Sequence, residues 1–362
     1  MVIFMSACAA VFYLISLRKT GRPIFTVLPA ILALSILALA GSLGQGASAL
    51  SEANKIPPGS AAGAPTIAPA IQKDAAAFID LYIDEAIALI DADRRQQSVV
   101  TFSYEPKLLY DSLSREEKSI YDEMLENAQN FHPFSYTAAR HGHEAMDMAL
   151  VVYGALTTDH PEIHTCFMLR EVVKDNVTTA LEALYFMPWD AELRPADTAA
   201  LREEMLRFEA VCTRIIERMP DDYSAYDQYR YLATVISLVT SFDYGLQKGW
   251  QIGTAYGSIV GRHSICQGYS KGFLYLCQKA NLWCETVDGV SGGNFAHMWN
   301  IVKLDSGTYY LDITWSDEKG LPGSPEWDRY FMLTQDEILV DHEITDGKVA
   351  TGTAIDRANK PR

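Results

Sequence analysis

The sequence predicts an α+β fold, and three observations carry that prediction. A stretch with helical spacing, "CQGYSKGFLYLCQKA", begins at Cys266. Three short runs of period two follow it, "LWCETVDGV", "AHMWNIVKL" and "TYYLDITW". Residues 71–250, ahead of both, read as mainly helical. Helices followed by one helix and then antiparallel strands make an α+β arrangement, because an alternating β-α order is absent.

In chain order, apolar residues recur at helical spacing from Ile71 to about Ala92, and "SVVTFSY" at Ser98 to Tyr104 reads as a strand. Ser114 and Glu117 form a capping box ahead of "IYDEMLENAQNF" and so start the next helix. A further helix covers roughly Glu144 to Leu156 and stops before the polar turn "TTDHPEIH". "VTTALEALYFM" is a strand, and two helices fit residues 197–218 and 222–240. From Cys266, helical spacing places Tyr269, Phe273, Leu276, Cys277 and Ala280 on one face and Gln267, Ser270, Lys271 and Gln278 on the others.

The N-terminus bears on compartment. Met1 to Leu17 is apolar, "RKTGR" follows, and Ile24 to Ala40 is apolar again before Ala47-Ser48-Ala49, a small-residue cleavage pattern. Residues 1–49 are therefore either a secretory signal or a membrane hairpin with its basic turn in the cytoplasm. Both readings put the rest of the chain outside, secreted or anchored at the cell surface. Residues 50–70, rich in Pro, Gly and Ala, form a flexible linker.

With 46 acidic against 30 basic residues the net charge is -16, which argues against a nucleic-acid partner. The six cysteines include no CxxC pair and no dense disulfide framework. Cys277 and Cys284 are expected as buried free thiols. His132, His141, His143, His160 and His164 lack the carboxylate or cysteine spacing of a metal site and read as helix-end and turn histidines. Neither metal nor organic cofactor is expected.

Chemistry concentrates around Cys266. At a helix start the unsatisfied N–H groups and the macrodipole favour an anion, whereas Cys277 in the last turn meets the opposite end and belongs to the core. A thiolate acting on an amide also needs an acid/base and a group to orient it. His297 opens the strand "HMWNIV", and the next strand delivers Asp312; a short turn lets the two sit side by side. Asp317 is the second candidate acid, in the turn-like "SDEKG", and His263 reads as a loop histidine.

Three ordered blocks resemble the transglutaminase-like superfamily: "ICQGYSKGFLYLCQKANLWCETVDG", "AHMWNIVKLDSGTYYLDITWSD" and "RYFMLTQDEILVDH". The resemblance covers roughly residues 220–345, and "YGALTTDHPEI" is similar to an upstream segment of bacterial extracellular members. It implies a papain-like core, a nucleophile helix packed on an antiparallel sheet. Domains would then be a helical region at 71–218, the transglutaminase-like domain at 219–345 and a tail at 346–362.

The resemblance also implies Cys266 as nucleophile, His297 as acid/base and Asp312 as orienting acid, with Tyr256, Gln267 and Trp299 at the oxyanion or substrate pocket. The lead-in "GRHSICQGYS" departs from the apolar "K-x-V-C" turn of that superfamily. The expected activity is peptidase or amidase hydrolysis, or transamidation, on protein or peptide substrates including those of the cell envelope. A catalytically silent surface module of the same fold, binding a partner through its helical half, is the alternative.

Overall fold

The computed structural model describes residues 75–93, 109–245, 249–293 and 295–355. The expected signal or hairpin, the linker and the strand at 98–104 lie outside the described residues. None of the described helices is long and apolar enough to cross a membrane.

The first helix, α1 (Ala75–Asp93), buries Ile79, Ile83, Ala86 and Ile90, the i, i+4, i+7 row its sequence predicts. The capping box starts α2 (Arg115–Asn130): Ser114 Oγ accepts from Glu117 N at 3.2 Å and Glu117 Oε2 accepts from Ser114 N at 2.9 Å.

Next come β1 (Ser135–Thr137), α3 (Ala138–Asp159), kinked at Gly142, and α4 (Pro161–His164). The strand expected at "VTTALEALYFM" is β3 (Val177–Tyr185), but it does not stand alone among helices. It forms a hairpin with β2 (Phe167–Lys174), and β1 completes an antiparallel sheet in the order β1-β3-β2. The turn residues Asp175 and Asn176 have φ of 52° and 61°, a left-handed pair that matches the twist of a hairpin. The "mainly helical" region therefore contains a three-stranded sheet, announced by "DN" between two β-rich runs.

Two long helices follow, α5 (Thr198–Glu217) and α6 (Ala225–Val239), capped by Asp197 and Ser224. A parallel pair, β4 (Ser241–Phe242) and β5 (His263–Ser264), brackets a 3₁₀ turn at Gly249–Gly253 and α7 (Ala255–Ile259). The central helix α8 (Cys266–Lys279) comes next, then β6 (Cys284–Ser291), β7 (Phe295–Leu304) and β8 (Gly307–Leu311). Three short helices, α9 (Ile313–Lys319), α10 (Pro325–Asp328) and α11 (Gln335–Ile338), lead to β9 (His342–Ile344). The second sheet is antiparallel throughout, in the order β8-β7-β6-β9.

Helix α8 is buried on more than the one face its apolar spacing suggests. Ser270 and Lys271 are buried as well. Two glycines allow this: a Cβ on Gly268 would stand 1.9 Å from Ser264 Oγ, and one on Gly272 would stand 2.1 Å from Ser258 Oγ. On the sheet side Ser270 Oγ donates to Met298 O at 2.9 Å, and Asn300 Nδ2 donates to Ser270 O at 3.1 Å. These two bonds fix the helix against the centre of β7.

The largest core cluster joins α1, α5, α6 and α8 through Ile83, Phe208, Tyr229 and Phe273, so residues on both sides of position 218 share one interior. The helices and sheet of residues 113–181 hold a second cluster around Tyr121, Met124, Val152 and Phe167. Part of the expected tail is also structural. Ala350 is buried, and its N–H donates to Tyr310 Oη at 3.0 Å.

Behind β7, Gly289 makes room for Trp299: an added Cβ would lie 2.4 Å from the indole and 2.1 Å from the Glu343 carbonyl. Overpacking of this kind costs about 1–3 kcal/mol. Gly289→Ala is therefore expected to lower the urea midpoint at unchanged m-value, and an unchanged midpoint would show that Trp299 has space to move.

Candidate active site

The site is assembled from the start of α8, the beginning of β7, the cap of α9 and the first residue of β9. Cys266 opens α8, where first-turn N–H groups have no intrahelical acceptor. The N-cap is Ile265, extended at φ −99° and ψ 177°, and it makes no side-chain cap hydrogen bond. The unusual "RHSI" lead-in thus leaves the donors of this helix end uncovered by a capping side chain.

His297 sits on β7 opposite Gly289, between the flanking strands of the sheet. Its imidazole stacks on Trp299, two residues further along the same face, at 5.7 Å and 29°. His297 Nε2 is 2.7 Å from Asp312 Oδ2, and the Cys266 thiol lies near enough to the ring to favour its protonated form. Both partners are nearly closed off, with Cys266 exposed by 7% and His297 by 8%.

Asp312 reaches His297 by a route the sequence pattern did not give. The strand expected over "TYYLDITW" stops at Leu311, and Asp312 is the N-cap of α9: its Oδ1 accepts from Trp315 N at 3.1 Å. The physical reason is in the residue itself, since aspartate is a favoured helix cap and a poor strand member. Its backbone N–H donates to Tyr330 O at 3.0 Å, so the chain turns at a fixed point.

A residue not singled out from the sequence completes the cluster. His342 Nε2 is 3.0 Å from the same Asp312 Oδ2, and its Nδ1 is 2.7 Å from Asp341 Oδ1. Tyr330 Oη donates to the other Asp341 oxygen at 2.8 Å. The adjacent "DH" in the third quoted block was its only sequence signal. Trp315, half-buried, leans on His342 at 4.6 Å between centroids and on His297 at 6.1 Å, so it shares with Trp299 the walling of the two imidazoles.

The electrostatics follow from this closure. Burial alone would raise the Asp312 carboxyl, but His297 and His342 outweigh it and hold Asp312 well below the usual carboxylate range. Burial likewise opposes a charge on His297, and Asp312 followed by the Cys266 thiol overcomes it, carrying the imidazole up to about 10. His297, Asp312 and His342 also offer three donor atoms within 4.8 Å of one another, a set that a divalent cation can use. Their separations of 2.7 and 3.0 Å are hydrogen-bond distances, so these atoms satisfy one another.

The other predicted residues fall elsewhere. Tyr256, expected near the oxyanion, donates its hydroxyl to Glu204 Oε1 of α5 at 2.7 Å and is thereby committed to the helical side. Gln267 is half-buried in the first turn of α8, its Oε1 so close to Gly253 that a Cβ there would be 2.6 Å away. Trp299 is fully buried behind His297 and is a backing, not the wall of an open pocket. Asp317 accepts from Tyr269 Oη at 2.6 Å and not from His297. Cys277 and Cys284 are both free and buried, as are Cys166 and Cys212.

No protein-family model and no curated protein matches this chain.

Asp317 supplies a pH test of the ground beneath the site. Burial pushes its carboxyl up to about 6, helped by Glu318 and opposed by the Tyr269 hydroxyl. A folded-state value above that of the unfolded chain stabilises the fold fully below about pH 4, and the contribution is lost as the pH rises through about 6. Between those limits urea stability of the wild type should fall relative to Asp317→Asn, by up to about 3 kcal/mol. Parallel stability–pH curves for the two proteins would contradict this.

Proposed function

We propose that the chain is a thiol enzyme of transglutaminase-like type acting on amide bonds, built on a papain-like core. The observation that carries the reading is the line from the Cys266 thiol through His297 to a buried, ionised Asp312. Nucleophile, base and orienting acid come from a helix start, a strand and a helix cap, three separate pieces of chain, with base and acid at hydrogen-bond distance.

In the proposed reaction the thiolate of Cys266 attacks the carbonyl carbon, and the oxygen takes the negative charge. The Cys266 N–H at the start of α8 stabilises that oxyanion. His297, protonated, gives its proton to the leaving nitrogen as the C–N bond breaks, and a thioester remains. His297 then takes a proton from water or from an incoming amine. Attack on the thioester releases an acid or a new amide and restores the thiol.

The apolar and basic N-terminal sequence supports action outside the cytoplasm on protein or peptide substrates, those of the envelope included. The acidic balance of the chain speaks against a nucleic-acid partner. One observation favours the second reading, a silent binding module: the thiol and imidazole are nearly sealed, at 7% and 8% exposure.

Turnover on a panel of fluorogenic amides and peptides, with and without an amine acceptor, separates the two. Full-length protein should hydrolyse or transamidate at least one member, and Cys266→Ala should lower kcat/KM by about three orders of magnitude or more. Equal rates for the two proteins would sink the enzyme reading. The alkaline limb of kcat/KM should fall near pH 10, where His297 loses the proton it must donate. Asp312→Asn should bring that limb down, since it removes the charge that holds the proton; a limb unmoved by the substitution would contradict the assigned role.

A further inference from the structure

The Asp312 carboxylate does not serve His297 alone. Oδ2 stands 2.7 Å from His297 Nε2 and 3.0 Å from His342 Nε2, so one oxygen accepts from two imidazoles. The ring centroids lie 5.5 Å apart. An ionised carboxylate can only accept, so a proton must stand on His342 Nε2. The side chain of His342 is wholly buried, packed against Trp299 at 5.0 Å, Trp315 at 4.6 Å and Tyr330 at 6.2 Å, and it has no room to turn away. Asp341 holds its Nδ1 side, and Tyr330 holds Asp341.

We propose that His342 is a positioning residue of the catalytic cluster: by donating to the oxygen that His297 uses, it fixes Asp312 and limits how firmly the carboxylate holds the proton on His297. The inference rests on the reading of Cys266, His297 and Asp312 as the reacting group. A carboxylate with one donor holds that donor's proton tightly, and an imidazolium held too tightly is a poor acid toward the leaving nitrogen. A second donor on the same oxygen takes up part of the negative charge. It leaves His297 oriented but more willing to give its proton away.

The charged and titratable groups facing this pair are few. His297 faces Cys266 from α8, Asp312 from the cap of α9 and His342 from β9. His342 faces Asp312, Asp341 beside it, His297 from β7 and the Tyr330 ring, over which the Arg329 guanidinium lies at 5.5 Å. Trp299 and Trp315 fill the remaining sides, with the Lys319 ammonium over the Trp315 ring at 5.3 Å.

The test is an NMR titration of histidine-labelled full-length protein, which reads His297 whether or not a substrate is known. His342→Phe keeps an aromatic ring among Trp299, Trp315 and Tyr330 but donates nothing to Asp312. Its expected effect is an upward shift of the His297 titration by about one unit. His342→Gln, whose amide can donate to the same oxygen, should return the titration toward the wild-type position. A merely structural role would lower the urea midpoint of both variants and leave the titration where it was. That result, or a downward shift in His342→Phe, would overturn the proposal.

Should neither variant fold, the wild type itself decides. The ring nitrogen shifts of His342 must report a proton on Nε2, and a bare Nε2 would overturn the proposal. Where turnover is measurable, His342→Phe should lose kcat per titrated thiol several-fold at unchanged KM. Absence of Cys266-dependent turnover in the wild type would count against the enzyme reading alone, because the titration does not require turnover.

Discussion

A buried anion sets the terms for the half of this protein that carries the candidate site. Asp312 is fully removed from solvent, and an ionised carboxylate in such a place is costly unless every lone pair it presents is answered. Oδ1 is answered by the Trp315 N–H and Oδ2 by His297 and His342. One side chain thereby ties α9, β7 and β9 to a single point. Loss of either imidazole leaves the charge under-satisfied, which makes the cluster a structural joint as well as a chemical one.

Cys266 is brought to that joint by packing. Helix α8 approaches its neighbours where Gly268 and Gly272 leave no side chain, and it is pinned to β7 by Ser270 and Asn300. Both β7 bonds lie within three residues of His297, so the helix start and the imidazole are positioned from the same stretch of strand. The helical side of the molecule contributes the rest of the support. Phe208 stacks on Tyr275 of α8, and Tyr256 is drawn off to Glu204. Interior packing of this density resists small displacements, which is what a thiol, an imidazole and a carboxylate need to stay in register.

Much of this was legible in the residues, and the parts that were not share a cause. Periodicity gave α5, α6 and α8 to within about three residues and the described part of α1, and the Ser114/Glu117 capping box gave the start of α2. These are local features, written in consecutive residues. The order Cys266, His297, Asp312 was also legible, because each lies at the start or end of an element. The true register of Asp312 was hidden, since period-two sequence continues through it although the chain is already capping a helix. His342 was hidden for a different reason: its role exists only because β9 pairs with β6 and returns it to Asp312, a contact 30 residues away in sequence. The bond of the Tyr256 hydroxyl to Glu204, 52 residues upstream, was hidden for the same kind of reason.

The central claim is that His297 activates Cys266, and its most direct measurement needs no substrate. The rate of Cys266 alkylation by iodoacetamide at pH 6, followed by mass spectrometry, should be at least about tenfold faster in the wild type than in His297→Ala, because a thiolate paired with an imidazolium reacts where an isolated thiol does not. Equal rates in the two proteins would mean that the thiol and the imidazole are neighbours without being partners, and the account would fall.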